Sequence, residues 1–178
     1  MTEFAILDFI QEHLRTPVGD MLMPLITRLG NGGFLWILTG LILLVQKKHR
    51  KAGILVLASL AMEILFCNVY LKNAVAAPRP CDLNPSVALL IPKPADFSFP
   101  SGHTGASFAA VTALFLGKVR GWYWFLIPAV LIAFSRLYLY VHFPSDILGG
   151  IVVGILSAIL AWTGMYVICR VQKKRERG

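Results

Sequence analysis

Apolar residues in this chain come in blocks, not in alternation and not as one helical stripe. Gly53–Ala61, Trp122–Phe134 and Ile147–Ala161 contain no charged residue. Runs of this kind exceed what a soluble core needs and approach the ~20 residues that cross a bilayer as a helix. Only helices and closed barrels satisfy their backbone polar groups in lipid, and block-like runs read as helices. The pattern predicts about five spans, roughly Asn31–Gln46, Lys51–Leu71, Ser101–Gly117, Gly121–Val141 and Ser145–Cys169. The first and third are short for a ~30 Å hydrocarbon core and call for tilt, local thinning or snorkelling flanks.

Residues 3–29 follow a different rule. Phe4, Ile6, Leu7, Ile10 and Leu14 recur at near-helical spacing, with Asp8, Gln11, Glu12 and Arg15 between them. This predicts an amphipathic helix lying in the membrane interface. Pro17-Val18-Gly19 breaks it, and a second short helix is expected over Asp20–Arg28. A sixth, broken span within residues 3–29 is the alternative. The expected fold class is all-α, a polytopic membrane helical bundle forming a single domain over residues 1–178.

Composition agrees with that picture. Of 178 residues, 57% are hydrophobic and 15% charged, against about a quarter charged in soluble domains. Cys67, Cys81 and Cys169 share no close spacing, so neither a disulfide framework nor a thiolate metal site is expected. No basic leader precedes the first apolar residues, and no cleaved signal peptide is expected.

The net charge of +8 would suit nucleic acid if it were spread over one face. It is instead clustered at Lys47–Lys51, at Lys118 and Arg120, and in the tail 170–178, each at the end of an apolar block. That is the bias of lysine and arginine towards cytoplasmic loops, so no nucleic-acid partner is expected. The basic tail is then cytoplasmic. The long loop 72–100, with Pro78, Pro80, Pro85, Pro92, Pro94 and Pro100, is extracytoplasmic. Loops of this length inside compact domains are commonly functional.

Three short patterns fall at the extracytoplasmic ends of the spans. Lys72 is followed after six residues by Arg79-Pro80. Pro100-Ser101-Gly102-His103 opens the third span. Ser135-Arg136 is followed after five residues by His142 and after three more by Asp146. Together these strongly resemble the signature motifs of the type 2 phosphatidic acid phosphatase family, over about 75 residues. The resemblance implies a membrane lipid phosphatase. His142 would be the nucleophile, His103 the acid–base partner and Asp146 the orienting carboxylate. Lys72, Arg79, Ser101, Gly102 and Arg136 would hold the phosphate.

The residue types suit those roles independently of the family. An unpaired arginine near a membrane is costly, so Arg136 calls for an anion. Arginine offers phosphate a planar fork and lysine a point charge. Ser101-Gly102 at a helix start presents unsatisfied N–H groups to an anion, and Gly102 permits close approach. Asp146, four residues beyond His142 and across Pro144, can accept from the imidazole and fix its tautomer. His103 can protonate a leaving oxygen and then activate water. No carboxylate set resembles a magnesium or two-metal site, so neither metal nor cofactor is expected.

The expected activity is hydrolysis of a membrane lipid phosphate or diphosphate. Undecaprenyl diphosphate is favoured by analogy with bacterial members of the family this chain resembles, since an extracytoplasmic site suits carrier recycling in cell-wall synthesis at a bacterial plasma membrane. Phosphatidylglycerophosphate or phosphatidic acid hydrolysis, lipid phosphotransfer, and non-catalytic lipid binding or transport are the alternatives. Among remaining residues, Glu63 is expected to be protonated or hydrogen-bonded inside the bundle. Trp122, Tyr123 and Trp124 read as an interfacial belt. Tyr138 and Tyr140 either line the outer mouth or belong to the opposite belt.

Overall fold

The computed structural model describes residues 3–175, and all regular structure among them is helical. The last three residues of the basic tail lie outside that range. Helix α1 (Glu3–Phe9) widens into π-type turns over Ile10–Leu14. Helix α2 (Pro17–Gly30) starts on Pro17, and the Thr16 hydroxyl accepts from the Gly19 N–H at 3.0 Å. Gly32 and Gly33 take positive φ angles (57° and 71°), which a side chain would resist, and redirect the chain into α3 (Phe34–Val45).

Helix α4 (Arg50–Glu63) continues through π-type turns over Ile64–Leu71 into α5 (Lys72–Val75). The expected second span therefore runs one turn further, and Lys72 is its last-turn residue. After α6 (Pro80–Leu83) the chain is irregular as far as α7 (Gly102–Leu116). A short 3-10 turn over Trp122–Phe125 leads into α8 (Leu126–Tyr138), and α9 (Pro144–Arg175) completes the described chain.

Three helical stretches are long and apolar enough to cross a membrane: Pro17–Val45, Arg50–Leu83 and Pro144–Gln172. Gly102–Leu116 and Trp122–Tyr138 are shorter and apolar. Large apolar side chains stay exposed on these helices, among them Leu41, Ile64, Val130, Leu148 and Leu160. In water such a surface would aggregate; against lipid tails it is solvated.

The core lies between α3, α4, α7 and α9, around Trp36, Val56, Leu60, Ala110, Leu114 and Ala158. Small residues let the backbones touch. A Cβ added at Gly154 of α9 would sit 2.3 Å from the carbonyl oxygen of Gly105 in α7. A polar side-chain pair spans this core and is satisfied: Trp36 Nε1 donates to Ser107 Oγ at 3.0 Å.

Two ends follow from this packing. A groove at one end is lined by Lys51, Lys118 and Cys169, so the basic clusters gather there. Residues 3–31 lean on the other. Gln11 Nε2 donates to the Tyr138 carbonyl (2.9 Å), the Tyr138 hydroxyl to Asp20 (2.8 Å) and the Tyr140 hydroxyl to Asp8 (3.0 Å). Glu3 accepts from the Ser145 N–H at 2.7 Å. Both tyrosines are buried struts for the N-terminal helices. Glu63 is fully buried, and among the described residues neither carboxylate oxygen has a hydrogen-bond partner.

Candidate active site

Every residue named from the sequence for the site comes from the end of a helix or the loop beside it, and all lie at the end opposite the basic groove. Lys72 closes the α4–α5 run, and Arg79 precedes α6. Ser101 caps α7, its hydroxyl accepting from the Thr104 N–H at 3.5 Å. Arg136 lies in the last turn of α8, His142 in the α8–α9 connection and Asp146 in the first turn of α9. A polar cavity of about 360 Å³ is lined by Lys72, Arg79, Gly102, His103, Arg136 and His142 among others. Ser101 and Asp146 are buried and do not line that cavity, and Asp146 is bonded to His142.

His142 is 1% exposed and held on both nitrogens. Asp146 Oδ2 lies 3.2 Å from Nδ1, and an Arg79 guanidinium nitrogen lies 3.1 Å from Nε2. A guanidinium only donates, so Nε2 must carry the lone pair and Nδ1 the proton facing Asp146. Asp146 is oriented in turn: it accepts from Ser98 Oγ at 2.5 Å and from the Phe143 N–H at 2.8 Å. Burial, and then the charges of Arg79, Arg136 and Lys72, hold the His142 imidazole well below its ordinary pKa. The ring is therefore neutral at pH 7, and its Nε2 lone pair, which accepts from Arg79 here, serves as a base or nucleophile once the guanidinium turns away.

Arg79 is the most connected side chain of the site and 1% exposed. It donates to the backbone carbonyls of Asp96 (2.8 Å), Val141 (2.7 Å) and Phe97 (3.2 Å), and to the Asp96 carboxylate (2.7 Å). Its own N–H is received by Asp82 at 2.8 Å. Lys72 pairs with the same Asp96 carboxylate. Arg136 donates to Thr27 Oγ1 at 2.6 Å, while its Nε has no partner among the described residues. A buried cation with a donor to spare faces a cavity that can hold an anion.

His103 Nε2 meets Asn31 Oδ1 at 2.9 Å, which leaves Nδ1 as the other ring nitrogen. Beside His103 a second, mostly apolar cavity of about 320 Å³ runs past Ile37, Leu60, Ile64 and Ala106, and it shares Lys72, Gly102 and His103 with the first. Among the described residues, no three His, Cys, Asp or Glu side chains converge as metal ligands.

Sequence reading missed Asn31, Thr27, Asp96 and Ser98. Asn31 sits in a glycine cluster and reads as turn chemistry. Thr27 reads as part of an interfacial helix. Asp96 and Ser98 lie in a loop without periodicity. For Asp96 and Ser98 the residue types offered a signal: short polar side chains just ahead of Pro100-Ser101-Gly102-His103.

Comparison with known proteins adds a family. A family model described as the PAP2 superfamily matches residues 52–168. The chain is 38% identical over 122 residues to an undecaprenyl-diphosphatase of Sulfolobus acidocaldarius, covering 68% of this chain but only 59% of that protein. It is 36% identical over 146 residues to the undecaprenyl-diphosphatase BcrC of Bacillus subtilis, covering 79% and 72%. The crystal structure of a PAP2-type phosphatidylglycerolphosphate phosphatase from Bacillus subtilis superposes with a TM-score of 0.73 at 29% identity, covering 93% of this chain and 85% of that one.

Proposed function

The chain belongs to the PAP2 superfamily, a family that includes lipid phosphatases, and on that premise we propose that it hydrolyses a membrane lipid phosphate or diphosphate through a phospho-histidine. The observation that carries the proposal is the His142 imidazole. It is neutral, with its tautomer set by Asp146, and its Nε2 accepts from Arg79 at the wall of a cavity also lined by Lys72 and Arg136.

The phosphate enters between Arg79 and His142, and the guanidinium turns from Nε2 to the phosphate oxygens. Nε2 attacks phosphorus, the bond from phosphorus to the leaving oxygen breaks, and His103 supplies a proton to that oxygen. Water then attacks phosphorus while His103 takes its proton; the P–N bond breaks and inorganic phosphate leaves. Lys72, Arg79 and Arg136, with the N–H groups at the start of α7, stabilise the charge on the equatorial oxygens.

These groups supply the positive charge that a metal would otherwise bring, so the reaction proceeds without one. Undecaprenyl diphosphate is the favoured substrate, supported by the likeness to undecaprenyl-diphosphatases. Phosphatidylglycerophosphate is the second candidate, supported by the likeness to the Bacillus subtilis phosphatidylglycerolphosphate phosphatase. The apolar cavity beside His103 gives the lipid tail a sideways path.

Purified protein in detergent should release phosphate from undecaprenyl diphosphate faster than from phosphatidylglycerophosphate or phosphatidic acid, and excess EDTA should not change the rate. Activity abolished by the chelator and restored by magnesium would contradict the metal-free chemistry. The opposite ranking of lipids would move the substrate to a glycerolipid.

The same reading places five spans in the bilayer, the site on the extracytoplasmic side, and the helices of residues 3–29 in the outer interface. On this reading the turn at Gly32 and Gly33 divides the apolar stretch Pro17–Val45 into an interfacial helix and a first span. The N-terminal contacts support it, because those described above fall on residues near the site end. Cysteine labelling tests the orientation. Cys67 and Cys81 are buried, and Cys169 is exposed and must first become serine. In that background Ser86→Cys should react with an impermeant thiol reagent in intact cells, and Arg120→Cys should not. The reverse pattern would put the site in the cytoplasm.

A further inference from the structure

Asp96 takes no part in the chemistry above, yet its carboxylate occupies two of the cations that line the cavity. One oxygen accepts from Arg79 at 2.7 Å, and the other pairs with Lys72. Arg79 itself lies 3.1 Å from His142 Nε2. The carboxylate thus stands where phosphate oxygens would stand, at the mouth of the cavity, with its side chain 55% exposed.

Arg79 does not depend on that carboxylate for its position. Its guanidinium also donates to the three backbone carbonyls of Asp96, Val141 and Phe97. A neutral side chain at position 96 would leave those bonds in place. Burial alone would raise the Asp96 carboxyl, but the hydrogen bond and charge of Lys72, and then Arg79, outweigh it and bring it down to about 2. Asp96 is therefore an anion across the neutral range.

A site at headgroup depth meets a large excess of ordinary phospholipids. Their phosphodiesters carry a single negative charge. A terminal phosphate carries about −1.5 to −2 at pH 7, and a diphosphate more. Exchanging the carboxylate for a phosphodiester replaces one unit charge with another and gains little Coulomb energy. It also sets a free ligand against one already tethered in the chain, at high effective concentration. Exchange for a terminal phosphate brings additional negative charge to Lys72, Arg79 and Arg136.

We infer that Asp96 is a specificity-determining residue, an internal anion that keeps singly charged phosphodiester headgroups out of the site and yields to a terminal phosphate. The inference rests on the lipid phosphatase reading given above.

The test uses the full chain in detergent, with phosphatidylglycerol as competitor. Wild-type phosphate release from undecaprenyl diphosphate should withstand excess phosphatidylglycerol. Asp96→Asn should become competitively inhibited, with the inhibition constant falling about five-fold or more. Asp96→Glu, which keeps the charge, should resemble wild type. Asp96→Ala serves the same comparison if the asparagine variant melts early. Direct titration of phosphatidylglycerol onto each protein decides the matter without turnover: the neutral variants should bind it about five-fold more tightly. Neutral variants that bind phosphatidylglycerol no better than wild type overturn the inference and leave the phosphatase reading standing. A wild-type protein that releases no phosphate from any lipid phosphate overturns that reading instead, and the titration still judges Asp96.

Discussion

Replacing His142 with alanine should lower phosphate release by roughly 10⁴-fold or more while the protein still folds. Among the described residues, His142 is the imidazole whose ring nitrogen meets Arg79. His103 lines the same cavity, but its Nε2 is engaged by Asn31. The fold should survive because the neighbours keep other partners. Asp146 retains Ser98 Oγ and the Phe143 N–H, and Arg79 retains three carbonyls and Asp96. Two measurements are needed on the purified variant. One is phosphate release alongside a melting curve. The other is trapping of enzyme-bound phosphate on rapid quenching, expected for wild type as an acid-labile adduct and absent from the variant. Near-normal release by a folded His142→Ala protein would remove the phospho-histidine mechanism. His142→Asn, closer in shape, guards against a packing artefact.

Arg79→Ala should cost about 10²–10³ in kcat/KM, the size expected when one preorganised donor to a developing oxyanion is lost. Here the donor also joins three parts of the chain: the residues before α6, the loop at Asp96 and Phe97, and the α8–α9 connection at Val141. Arg79→Lys should recover little. A single ammonium cannot reproduce a planar fork that serves carbonyls on several sides. Inhibition by inorganic phosphate separates binding from collapse: a folded Arg79→Lys enzyme should bind phosphate more weakly, with a melting temperature lowered by the lost carbonyl bonds. Restoration of wild-type kcat/KM by lysine would show that charge alone matters at this position.

Much of the bundle could be read from the chain, because bilayer physics leaves a long apolar block one main option. Ile147–Ala161 has to be a buried or lipid-facing helix, and it lies within α9. The reading was weakest where helix rules change. The π-type turns of Ile64–Leu71 leave no periodic signature, so the extension of the second span into Lys72–Val75 had to be seen. Cys81 lies in the long loop by sequence, yet it is buried against Leu139 and Val141. Loop composition does not reveal such satellite packing.

Sequence alone determined which chemistry was available. The spacings from Lys72 to Arg79, from Pro100 to His103 and from Arg136 through His142 to Asp146 place those side chains at the ends of helices. Local rules of helix starts and i, i+4 reach are enough to pair His142 with Asp146. Tertiary structure alone decided how that chemistry is poised. Arg79 meets His142 across 63 residues, Asn31 meets His103 across 72, and Thr27 meets Arg136 across 109. Each of these contacts depends on how separate helices pack. That packing is set by small-residue contacts such as Gly154 on Gly105 and by the lean of residues 3–31 on the site end, and no local pattern in the chain encodes it.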